Sequence, residues 1–135
     1  MALDPHKGKL IEKIELKNGL FLELLDYSKH LAGDRCFVGL LARIPIKIKL
    51  EHLDTNNITD DEFKEFLSTY GGTIYFEMKK ERNFVDEKEK DQLIDMLADQ
   101  FKEYANNYLG HPDLATKTVR RKFQEYQERR NWWKE

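Results

Sequence analysis

Glu77 and Lys79 are the residues whose type and spacing come closest to a reaction site. In Ile74-Tyr-Phe-Glu-Met-Lys79 apolar and polar residues alternate, which reads as a strand, and residues two apart on a strand project to one face. A carboxylate and a lysine placed so, with an aspartate from a neighbouring strand, can hold a divalent metal and stabilise the attacking water of a nuclease. Asp26, at the end of an earlier strand, is the candidate third group. The plainer reading is a solvated strand face, since Glu81 and Arg82 follow directly.

Other chemistry-bearing residues do not form a pattern. The histidines are His6, His30, His52 and His111, and no two share a spacing that makes a metal pair on one element. All four fall in the amino-terminal tail or in expected loops and turns, where solvent exposure is the expectation. Cys36 is the single cysteine, so an internal disulfide or a paired-cysteine metal clip is ruled out. It falls on an apolar strand face, where cysteine behaves as a small hydrophobe. Both glycine-rich phosphate-binding fingerprints are absent, and Gly71-Gly72 reads as a helix stop. No cofactor and no resident metal site is expected, and the pattern points away from an enzyme.

Charge is unevenly distributed. The net charge is −2, too small for a global field that recruits nucleic acid or an acidic membrane. Locally, Glu51 to Glu65 holds six acids and one base, whereas His111 to the end holds seven bases and four acids. Lys117, Arg120, Arg121, Lys122, Arg129 and Arg130 form a basic patch candidate on one expected helix. With Tyr126, Trp132 and Trp133 these could touch phosphates and stack bases. The competing explanation is that bases favour the carboxyl-terminal part of a helix and pair with Glu125 and Glu128.

Elements that would position these residues follow from periodicity. Asn18-Gly19 between two extended runs, 10–17 and 20–28, predicts a two-residue hairpin turn with positive φ at both positions. Residues 29–34 read as a loop. From Cys36 to Leu50 every second residue is apolar, which predicts a long third strand that bends or breaks near Pro45, a residue suited to an edge or bulge. Thr59-Asp-Asp-Glu62 matches a capping box opening a short helix to Tyr70. A fourth strand runs to about Val85. Asp86 caps a helix with the stripe Leu93, Met96, Leu97, Phe101, Tyr104, Ala105 and Tyr108, which Gly110 ends. A last helix carries Val119, Phe123 and Tyr126 on one face. Val38, Leu40, Ile44, Ile74, Phe76, Leu93, Leu97, Phe101 and Phe123 are the expected core.

The expectation is a single α+β domain over residues 1–135. Its order is β-β-β-α-β-α-α, with an antiparallel sheet of about four strands packed in two layers against a carboxyl-terminal helical hairpin. Its 135 residues and 40% apolar content suffice for one core. The first residues lack the apolar core of a secretion signal and no segment suits a membrane span, so the expected location is cytoplasmic, with no membrane partner.

At Leu16-Lys-Asn-Gly-Leu-Phe-Leu-Glu-Leu24, Ala32-Gly-Asp-Arg35 and Tyr108-Leu-Gly-His-Pro112 the sequence resembles small bacterial proteins of no assigned function, over most of its length. These are turn and strand motifs, so the resemblance implies a bacterial origin and no activity. The leading functional reading is a non-enzymatic interaction module with a protein partner, self-association as a homodimer included. Its interface candidates are Ile46, Ile48 and Leu50, which extend the apolar strand face past Pro45, together with Trp132 and Trp133. A nuclease and nucleic-acid binding are the alternatives.

Overall fold

Alternation from Cys36 onward builds the longest apolar strand. In the computed structural model, which describes residues 8–54, 56 and 58–134, this strand is β4, Arg35–Lys47. It follows β1 (Lys9–Glu15), β2 (Phe21–Asp26) and β3 (Lys29–Ala32). After it come α1 (Asp60–Tyr70), β5 (Thr73–Asp86), α2 (Lys90–Tyr104) and α3 (Leu114–Lys134). Tight 3-10 turns at Leu50–His52 and Glu87–Glu89 precede α1 and α2, and a π-turn at Ala105–Leu109 continues α2. The class is α+β, with a five-stranded antiparallel sheet.

β2 and β3 lie end to end along the same flank of β4. The pairs Asp26↔Leu40 and Lys29↔Phe37 continue one register, and between them the Tyr27 amide donates to the Gly39 carbonyl. The break at Ser28 comes from side chains. Asp26 Oδ1 accepts from the Ser28 amide at 2.9 Å, and Ser28 Oγ accepts from the Gly39 amide at 3.2 Å. The expected loop at 29–34 is therefore mostly strand, closed by a turn in which Gly33 takes φ 58°. Its exposed Lys-His-Leu-Ala segment carries no alternation that would mark it. β5 pairs with the other flank of β4. The Ile48 amide donates to the Gly72 carbonyl near one end, and the Glu87 amide to the Asp34 carbonyl near the other, which fixes the pair as antiparallel.

Two local expectations are corrected. Gly19 has φ 85°, but Asn18 is not in the left-handed region. The Gly19 amide donates to the Leu16 carbonyl and the Leu16 amide to the Leu20 carbonyl, the three-residue hairpin with glycine in the αL position. Asn18 instead uses its side chain: Oδ1 accepts from the Leu20 amide at 3.1 Å and Nδ2 donates to the Leu109 carbonyl at 3.0 Å. β4 also runs through Pro45 without a break. Hydrogen bonding alternates along a strand, and the Ile48–Gly72 bond puts the position of the missing Pro45 N–H on the flank away from β5. Pairing with β2 ends at Arg43, so the proline removes no ladder bond.

The chain forms two compact units, one up to Ile44 with Glu77–Gly110, the other Pro45–Phe76 with His111 onward. In the first, Leu22, Leu24, Val38, Leu40 and Ile44 of the sheet are buried, as are Ile94, Leu97, Ala98 and Phe101 of α2 and Ala105 of the π-turn. Lys102 Nζ meets Glu12 Oε1 at 2.8 Å, and the Lys80 ammonium sits over the Phe101 ring. The buried stripe of α2 is rotated from the expected one: Met96, Tyr104 and Tyr108 are exposed and Leu93 is half-buried. In the second unit the Phe66 ring of α1 lies 5.0 Å from Phe123 and 5.5 Å from Tyr126 of α3. The Thr59–Glu62 capping box forms as expected, and Gly71 ends α1 at φ 66°. Of the expected core, Phe76 and Leu93 are half-buried and the rest buried.

Candidate functional site

The pleat decides where the possible metal ligands go. Asp26 pairs with Leu40 and shares its face. Lys80 sits over the Phe101 ring of α2, on the side where Ala105 and Leu22 line one cavity, so Glu77 and Lys79, at the alternate positions of β5, lie on the reverse face. Tyr27 marks that reverse face too, its hydroxyl donating to Glu81 Oε1 at 2.9 Å. Glu77 and Lys79 are exposed side by side, as the two-residue spacing requires, but the fold does not bring Asp26 to them. Among the described residues no three His, Cys, Asp or Glu side chains are grouped to hold a metal ion.

The histidines take separate structural roles. His6 lies outside the described residues. His30 Nε2 is 2.8 Å from the Gly33 carbonyl at the β3–β4 turn, and His111 Nδ1 accepts from the Asp113 amide at 3.1 Å before α3. His52 departs from expectation, being buried. Its Nδ1 accepts from the Lys49 amide at 3.3 Å, and its carbonyl accepts from Arg120 Nε at 3.0 Å. Burial lowers its pKa below the ordinary histidine value, and the Lys49 charge adds to this against the opposing pull of Glu51. Cys36 is buried, and its thiol donates to the Val85 carbonyl at 3.5 Å.

The interface candidates divide. Ile46 is 1% exposed and Ile48 7%, so the apolar strand face past Pro45 is covered within the chain. Leu50 is 44% exposed and Trp132 71%. Trp133 lies in α3, but its side chain is outside the described residues.

α3 presents the most basic surface. From Leu114 to Lys134 it carries seven bases and two acids, a net of +5 in a chain of −2. The basic candidates divide by what holds them. Arg130 lies 3.9 Å from Glu62 and 3.8 Å from Glu65, Lys122 lies 3.5 Å from Glu125, and Arg120 is bonded to His52. Lys117, Arg121 and Arg129 are exposed, and among the described residues no carboxylate lies within ion-pair distance of them. Lys117 and Arg121 are one helical turn apart on the outer face, about 6 Å along the axis, and the same ridge climbs through Glu125 to Arg129, with Trp132 beside its end. A second ridge, Arg120, Gln124, Gln127 and Asn131, flanks it. Arg120, Gln124 and Gln127 line a cleft of about 520 Å³ with Phe123, Leu53 and Asp54, and Gln127 and Asn131 continue into a second of about 380 Å³ beside Thr59 and Glu62. These amides escaped the sequence reading, although their three- and four-residue spacing beside the basic ridge is visible there.

No protein-family model, curated protein or solved structure matches the chain. No helix among the described residues is long and apolar enough to cross a membrane.

Proposed function

We propose that this protein is a non-enzymatic binding module whose α3 takes single-stranded nucleic acid. The observation that carries the reading is the exposed ridge of Lys117, Arg121 and Arg129, cations without a carboxylate partner among the described residues. Unpartnered exposed cations cost nothing to bring to phosphates and release counterions when they meet them. The exposed Trp132 indole supports a single strand as the substrate, because unpaired bases stack on aromatic rings. Gln124, Gln127 and Asn131 supply both donors and acceptors for base edges along the cleft.

Titrating tryptophan fluorescence with a single-stranded oligonucleotide tests this. Three neutralised phosphates lower log K by about two for each tenfold rise in salt. Replacing both Lys117 and Arg121 by glutamate should weaken binding by at least about tenfold while the melting temperature stays near that of the wild type, since both side chains are exposed. Binding that ignores salt, or survives the double replacement, refutes the reading.

A further inference from the structure

β1 is the end strand of the sheet, and its outward backbone groups can be identified. The Leu16 amide bonds to Leu20, and the register Ile14↔Leu22, Glu12↔Leu24 continues from that pair. Hydrogen-bonded pairs alternate along an antiparallel ladder, so the even residues Glu12, Ile14 and Leu16 bond to β2. The amides and carbonyls of Lys13 and Glu15 therefore point away from the sheet, and the alternation stops at Ile11, where the register with β2 shifts between Leu10 and Glu12. Among the described residues no strand pairs with this edge, and an edge of this kind is a template for another strand.

The charges on β1 select among the possible occupants. In a two-fold antiparallel pairing one residue faces its own copy. Centring on Glu12 or Lys13 sets like charges face to face, and centring on Ile11 falls on the register shift between Leu10 and Glu12, where the strand is irregular. Centring on Ile14 has the opposite result. It places Lys13 across from Glu15 of the second copy, twice by symmetry, and Ile14 across from Ile14. It also turns the outward bonding groups of Lys13 and Glu15 toward each other, as the ladder requires. Lys13 and Glu15 are exposed and Ile14 is half-buried. Beneath Ile14, on the side facing α2, lies a cavity of about 170 Å³ lined by Leu16, Leu22 and Ala105 among others, which is room for apolar side chains meeting at the axis.

From this edge and its charge pattern we infer that the protein self-associates through β1, two copies joining their sheets in an antiparallel pair centred on Ile14. The inference is independent of nucleic-acid binding by α3. It also differs from an interface on the far part of β4, whose Ile46 and Ile48 are already buried.

Sedimentation and cross-linking test it. The wild type at high micromolar concentration should show a mass near twice the 16.1 kDa of one chain. Lys13→Glu should raise the dimer dissociation constant about tenfold, since each opposed pair becomes repulsive, and adding Glu15→Lys should restore dimerisation. Charge reversal that merely disturbed β1 against Glu23 would not be rescued this way. In a Cys36→Ala background, Ile14→Cys should form an interchain disulfide under mild oxidation. A non-hydrogen-bonded pair has Cα atoms about 4.5 Å apart, within disulfide reach, whereas Lys13→Cys should not cross-link. A mass of one chain, a dimer indifferent to Lys13→Glu, failure of the paired rescue, or cross-linking that is absent at Ile14 or equal at both positions overturns the inference.

Discussion

The two units hold their cores with different side chains. In the first, the buried residues are almost all aliphatic: Leu22, Leu24, Val38, Leu40 and Ile44 from strands, Ile94 and Leu97 from α2, with Phe101 as the large ring. In the second, three rings of two helices meet, Phe66, Phe123 and Tyr126, with Tyr70 edge-on to Phe66 at 5.4 Å. Backbone hydrogen bonds tie together the strands of the first unit. The helices of the second are tied by side chains, Arg120 to the His52 carbonyl and Arg130 to Glu62 and Glu65. Polar side chains on helices thus do in one unit what a ladder does in the other. The difference carries over to charge, because the acids and bases of the second unit are segregated onto opposite stretches of chain and only part of α3's charge is paired.

This contrast predicts where truncation hurts most. Phe66→Ala removes the ring at the centre of the aromatic cluster and should cost about 3–5 kcal/mol. Leu97→Ala or Leu40→Ala leaves an aliphatic cavity and should cost roughly 2–5 kcal/mol. Native-state hydrogen exchange assigns each loss to a unit: Phe66→Ala should chiefly deprotect α1 and α3, and Leu97→Ala the sheet and α2. Losses below about 1 kcal/mol at both leucines would show that α2 does not cover the sheet in the first unit. A uniform loss of protection from either variant would dissolve the distinction between the units.

A smaller effect is expected at the β1–β2 turn. Gly19 sits at φ 85° with open space around it, so Gly19→Val meets no neighbour and suffers only from its backbone. It should cost about 1 kcal/mol or more. Unchanged thermal stability would mean that the turn rearranges freely, which Asn18's bond to the Leu109 carbonyl argues against.

Much of the fold was legible because period two is a strong signal when one face is buried. The run from Cys36 and the capping box at Thr59 could each be read from neighbours a few residues apart, whereas Asp86, expected to cap α2, caps the 3-10 turn that leads into it, its Oδ1 accepting from the Lys88 amide at 3.0 Å. What escaped depended on distant partners. β3 is exposed throughout, so no alternation marks it, and its pairing is set by the register of β2. The turn type at Asn18 is decided by a carbonyl 91 residues away. The rotation of the α2 stripe was hidden because large apolar residues occur on both sides of the helix, Met96 and Tyr104 outward and Ile94 and Phe101 buried, and sequence cannot say which side meets the sheet. The basic candidates were legible as a group, but which of them remain unpaired depends on Glu62, Glu65 and His52, elsewhere in the chain.

The smallest predicted effect separates the units by pH. Burial lowers the pKa of His52 in the folded state, which favours the neutral ring, and its Nδ1 must stay unprotonated to accept from the Lys49 amide. The unfolded chain takes up a proton at this residue near the ordinary pKa of about 6.5, whereas the folded chain resists until a lower pH. The unfolded state then binds more protons, so stability falls as pH drops below about 6.5 and levels off below the folded pKa. His52→Asn keeps an acceptor within reach of Lys49 and removes the titration. Its stability should lie within about 1.5 kcal/mol of the wild type at pH 7, the worth of one hydrogen bond, and the wild type should lose ground to it between pH 7 and 5. Comparing the two cancels the carboxylates and the remaining histidines, which both proteins share. Exchange at Thr118 and Val119, beside the Arg120 bond to His52, should report the change, while exchange in β1 and β2 should not. If the difference between the two proteins stays constant across that range, His52 is not held neutral and the link from Lys49 through His52 to Arg120 is not what secures α3.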